Sequence, residues 1–170
     1  MRRPLPRFSK DKSPYKTHAS CWFFHRDALS KVGQDSEGGG AGFYFQIAPG
    51  DSFIGGGLWM PPRPLLNRLR DAIAEDPKSF ARVAASPAVT RRFGGLSDES
   101  ALKRLPRGFA EDHPAARWLR HQSFTLGHEL TDAQVTKPGL GALLEKDFAA
   151  ILPLVRWLNG VLGLKTARRR

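Results

Sequence analysis

The chain has 170 residues, 41% hydrophobic and 25% charged, which suits one domain with a buried core and excludes wholesale disorder. Twenty-seven Lys and Arg against 16 Asp and Glu give a formal net charge of +11, pointing to anionic partners; no apolar run approaches the ~18 residues of a membrane span. The opening MRRPLPRFSKDK lacks the apolar segment of a secretory signal, and the single cysteine, Cys21, leaves no internal disulfide, so a cytoplasmic setting is expected.

In chain order, residues 17–26 (THASCWFFHR) read as a strand, rich in β-branched and aromatic residues. Apolar side chains on both of its faces suggest a place inside a sheet rather than at its edge. KVGQDSEGGGAG then reads as a loop, costly to order because of its three successive glycines. GFYFQIA (42–48) and SFIGGGLWM (52–60) flank Pro49-Gly50-Asp51, the spacing of a type II turn, and predict an antiparallel hairpin. Gly55, Gly56 and Gly57 within the second strand suggest a bulge, or a close approach by another backbone or a ligand.

From Pro61 the period becomes helical. Leu65, Leu66, Leu69 and Ile73 share one face, with Pro64 in the first turn and Pro77 closing the run. Asp76-Pro77 and Ser86-Pro87 each put a capping side chain before a first-turn proline, and the second of these helices stops at Gly94-Gly95. Asp112-His113-Pro114 opens a further helix carrying Trp118 and Leu119; SFTLGHEL (123–130) reads as a strand, and Thr131 with Gln134 has capping-box spacing. Leu140 to Leu162 is one long helical pattern that Pro153 should kink or divide. Strands first and helices afterwards predict an α+β fold: an antiparallel sheet, from strands in the first third plus a later one, packed with several helices.

The charge is uneven: residues 1–31 carry net +6, residues 165–170 carry +4, and the body between them only +1. Familiar catalytic patterns are incomplete. His25-Arg26-Asp27 copies the kinase catalytic-loop triplet, but Val32 stands where that motif needs Asn. Gly50-Asp51-Ser52 matches the nucleophile block of one esterase class without the Asp-x-x-His that would supply its base. The five histidines (His18, His25, His113, His121, His128) show no metal-ligand spacing, and roles as caps or surface residues are expected; no metal and no cofactor is implied. Neither glycine triplet has the context of a phosphate-binding loop.

The densest polar feature is RFSKDKSPYK. Arg7, Lys10, Lys12 and Lys16 surround Asp11 and Tyr15, a grouping suited to a phosphate, a carboxylate or a nucleic-acid strand. The structural alternative makes Asp11 an ion-pair partner and turn former, with Ser13-Pro14 leading into the first strand.

These residues also carry a likeness. Arg7-Phe8-x-x-Asp11-Lys12-x-x-Tyr15-Lys16-Thr17 resembles the signature of a bacterial family of conserved hypothetical proteins, domain of unknown function 2461. The resemblance continues through Gly42-Phe43-Tyr44, Ile47-x-Pro49-Gly50 and Phe53-x-Gly55-Gly56-Gly57-x-Trp59-x-Pro61. It ends with Phe93-Gly94-Gly95 and Pro106-Arg107-Gly108-Phe109-x-x-Asp112-His113-Pro114. It implies a single α+β domain over residues 7–163, a non-matching start at 1–6 and a basic tail at 164–170. Relative to the family, an upstream helical region and an Arg-Asp pair are missing, so the expected chain is an N-terminally truncated member.

The family brings no established reaction, but it raises Arg7, Lys12, Tyr15, Lys16 and Arg107 as anion-binding candidates, with Asp11 as acid, base or ion-pair partner. Three functions remain open. The first is an anion-binding domain for a phosphate-type ligand or nucleic acid, without established catalysis. The second is an enzyme acting on a phosphorylated or carboxylated small molecule. The third is a structural or partner-binding module built on an exposed C-terminal helix and its basic tail. No membrane partner is expected.

Overall fold

A computed structural model describes residues 17–28 and 39–164. Four strands, β1 (Ala19–Phe24), β2 (Gly42–Ile47), β3 (Ser52–Leu58) and β4 (Phe124–Leu130), form one antiparallel sheet in that order. Helices α1 (Arg63–Glu75), α2 (Pro77–Ala84), α3 (Pro87–Phe93) and α4 (Ala116–Leu119) lie between β3 and β4 in sequence; α5 (Asp132–Val135) and α6 (Leu140–Val161) follow. The fold is α+β, as the order of strand and helix patterns predicts. Among the described residues no helix is long and apolar enough to cross a membrane.

Local signals set most of the boundaries. The Asp51 N–H donates to the Ala48 carbonyl at 3.1 Å and Gly50 has φ 67°, so Pro49-Gly50 forms the type II turn that joins β2 to β3. Asp76 and Ser86 accept from the amides of Ser79 and Val89, capping α2 and α3, and Gly94 ends α3 in the left-handed region at φ 76°. Thr131 and Gln134 complete a reciprocal capping box on α5.

The β3 glycines have a packing origin. Register runs unbroken from β2 through β3 to β4, so there is no bulge. Gly57 has φ 129°, and a Cβ there would collide with the Phe124 carbonyl on β4; a Cβ on Gly56 would lie 2.8 Å from Ile151 Cγ2 of α6. The close approach is thus made by a neighbouring backbone and by the helix resting on the sheet. Ile151, Leu154, Val155 and Leu158 of α6 are buried with Leu58, Phe124 and Leu126 of the sheet. Phe80 of α2 packs edge-on against Trp118 and Phe124, closing the centre of this core.

Two expectations are corrected. β1 is an edge strand with five of its six residues exposed, not an interior one. Its aromatic residues stay exposed but have ring partners: Trp22 packs on Tyr44 at a centroid distance of 4.4 Å, and Phe23 meets Phe148 of α6 edge-on. The C-terminal helix is exposed on one face only, because the other face of α6 contributes Ile151, Leu154, Val155 and Leu158 to the core. It also runs undivided through Pro153. That residue and Ala149, whose carbonyl loses its helical donor, are both exposed, so water can satisfy the freed group.

Polar anchors fix α6 in place. The Asn159 side chain accepts from the Ala41 N–H at 2.8 Å and donates to its carbonyl at 3.1 Å, acting as a strand partner at the start of β2. Asp147 is fully buried and is held by Arg92 of α3 and by His128 Nε2 of β4, the latter at 3.1 Å. Removing that carboxylate strands a guanidinium and an imidazole against the core. Asp147→Ala is expected to cost about 3 kcal/mol of unfolding free energy. Gly57→Ala, which combines a forbidden φ with backbone overlap, should also cost about 3 kcal/mol. Urea titration followed by circular dichroism reads both; a change below about 1 kcal/mol would contradict the corresponding packing argument.

Candidate functional site

Arg7, Asp11, Lys12, Tyr15 and Lys16 lie outside the described residues. Arg107 is described: it is exposed on the loop between α3 and α4 and lines a cleft of about 440 Å³. The opposite wall is the beginning of α1. Met60 and Pro61 lead into it, and Arg63, Asn67 and Arg70 project from it, while Gln122 closes the end nearest β4. Three arginines therefore converge on one concavity, and none of the residues lining it is acidic.

Arg70 is the unusual member. It sits on the buried stripe of α1 with Leu66, Leu69 and Ile73, and is only 7% exposed. Its Nη2 donates to the His121 carbonyl at 2.9 Å, but its buried Nε has no hydrogen-bond partner among the described residues. No carboxylate pairs with it there either. Burial and the nearby Arg63 charge both push its pKa down, the desolvation being the larger cause. Guanidinium stays protonated in proteins, so the strain of holding it is retained.

The backbone around the cleft is also set for negative charge. The N-cap of α1 is Pro62, which contributes no capping side chain, so the positive end of a 13-residue helix reaches the cleft uncapped. Met60 beside it has φ 43°, in the left-handed region, and is pinned by its N–H donating to Ser123 Oγ at 2.9 Å.

Of the three arginines lining this cleft, the sequence singles out Arg107 but not Arg63 or Arg70. The readable signal for Arg70 was its position: four residues after Leu66 and three before Ile73, it puts a charge on an otherwise apolar helical face.

His121, whose carbonyl receives Arg70, is itself buried, at 8% exposed. Desolvation holds its pKa below the ordinary histidine value, partly opposed by the Asp98 charge. The folded state therefore takes up a proton here less readily than the unfolded chain does. That contribution to stability is fully present above about pH 6.5 and is lost as pH falls below it toward the depressed folded value. Between pH 7 and 5 the wild type should lose more unfolding free energy than His121→Gln does. Parallel pH profiles for the two proteins in denaturant titrations would remove this assignment.

The chain matches the family described as conserved hypothetical protein (DUF2461) over residues 6–157, and it belongs to that family. No curated protein and no solved structure matches it.

Proposed function

We propose that this member of the conserved hypothetical protein (DUF2461) family is a small-anion-binding domain. Its ligand's phosphate or carboxylate group is taken up between Arg63, Arg70 and Arg107. The observation that carries this reading is Arg70, a guanidinium 7% exposed in the cleft wall, with an unpartnered Nε and no carboxylate beside it among the described residues. A buried cation without a counter-ion is unfavourable, and an anion entering the cleft offsets that penalty. The start of α1, which no side chain caps, adds the positive end of the helix dipole at Arg63 in the cleft wall.

Shape separates the two anionic partners considered from sequence. A nucleic-acid strand is tracked by an extended basic groove or face, whereas a concavity of about 440 Å³ falls in the size range of small-molecule sites. Planar guanidinium forks also suit bidentate contact with phosphate or carboxylate oxygens. The reading favours the small ligand.

Calorimetric titration with inorganic phosphate at low and raised salt tests it, using Arg70→Met and Arg107→Gln. Each variant is expected to weaken binding about tenfold or more, the loss of one charge-assisted contact. Arg107 is exposed, so its replacement carries the test even where Arg70→Met impairs folding. Phosphate affinity unchanged in Arg107→Gln, or no phosphate binding at all, sinks the proposal. So does binding of a short single-stranded oligonucleotide that both variants leave intact and salt abolishes, which would move the site to a polyanion surface.

A further inference from the structure

A second concavity of about 460 Å³ lies on the other side of the 120–122 segment, bounded by the end of α3, the loop after it and the Arg117–His121 stretch. Its polar groups have few partners. His121 lines it while only 8% exposed, and its Nδ1 is buried with no hydrogen-bond partner among the described residues. The buried Nε of Arg120 is in the same condition, although its Nη2 reaches Glu111 at 3.6 Å. The Arg117 guanidinium carbon lies over the Trp118 ring, 4.1 Å from its centroid, and no carboxylate pairs with it among the described residues. A cation–π contact of this kind consumes none of the guanidinium's N–H hydrogen bonds to oxygen acceptors.

We propose that this second cleft is a binding site for a small organic acid, its carboxylate held by Arg117 and its hydrogen-bonding edge met by His121. The ligand class follows from the lining. Arg117 and Arg120 outweigh Asp98, the acid in the lining, so the favoured charge is negative. Leu96, Leu102 and Trp118 offer apolar surface that a bare inorganic ion would leave unused. A neutral imidazole supplies one donor and one acceptor, which suits a carboxylic acid carrying a further polar group. This site is distinct from the Arg63–Arg70–Arg107 cleft: the two linings share Leu102 but no charged residue.

Long-range proton–nitrogen NMR of the His121 ring, at neutral pH, reads the site directly. Sodium benzoate and sodium salicylate serve as probes, with inorganic phosphate as the comparison. Both acids are expected to shift the His121 ring signals saturably, and Arg117→Met, a change at an exposed residue, should weaken that binding about tenfold. Arg107→Gln should leave it unchanged. The inference is overturned if neither acid moves the His121 ring. It is overturned equally if Arg117→Met binds as the wild type does, or if Arg107→Gln weakens the acids in parallel with phosphate, which would place them in the first cleft. Failure of phosphate binding with the acid response intact would remove the proposed function and leave this site standing.

Discussion

The Asp147 carboxylate sits under the middle of α6, fully out of contact with water. A buried charge of that kind is tolerable only when it is paired, and its partners come from two other elements, Arg92 on α3 and His128 on β4. The His128 ring is engaged at both ends, since its Nδ1 faces the Glu129 carbonyl at 2.9 Å. One side chain thereby sets the rotation of α6, the position of the last turn of α3 and the height of the helix above the sheet. The glycines of β3 are the counterpart of that height. With α6 fixed, Ile151 descends to where a Cβ on residue 56 would stand, and the strand must be glycine there. The loop from Gly94 to Arg107 leaves from the α3 end that Arg92 anchors, so the walls of both clefts inherit their placement from the same carboxylate.

Arg92 and Arg70 show two solutions to placing a guanidinium in one core. Arg92 meets a buried carboxylate, which balances its charge within the fold. Arg70 is more deeply buried, yet receives only a backbone carbonyl, and the like charge of Arg63 adds to the cost of its burial. A fold that can neutralise one arginine through Asp147 has the means to neutralise another. The missing partner at Arg70 is the feature that the proposed anion would supply.

How far the chain was readable follows from how local each feature is. The Pro49-Gly50 turn, the caps at Asp76 and Ser86 and the Thr131–Gln134 box are written in neighbouring residues, and each formed where its spacing placed it. The order of the strands in the sheet is a tertiary fact. Trp22 and Phe24 suggest an interior strand because sequence gives no sign that they would stay exposed at the edge, the Trp22 indole against Tyr44. Gly56 and Gly57 announced a close approach without saying by what; the answers lie in α6 and β4, far along the chain. Of the site residues, only Arg107 was reachable through family resemblance. Arg70 and His121 matter because of what they lack, and a missing partner has no signature in a linear sequence.

The net charge of +11 takes on a narrower meaning in this light. Ten of those charges lie in residues 1–31 and 165–170, and the body carries +1. A field from the chain ends acts on every anion alike and fades over ~8 Å at physiological salt. It can raise an encounter rate, but it cannot tell a phosphate from a carboxylate or from a nucleic-acid backbone. Discrimination needs groups that salt does not screen and that cannot rearrange. Arg70 meets both conditions, since it is buried and its Nη2 is tethered to the His121 carbonyl. The selectivity we propose therefore rests on the nearly neutral body, where an arginine is buried in the wall of a cleft.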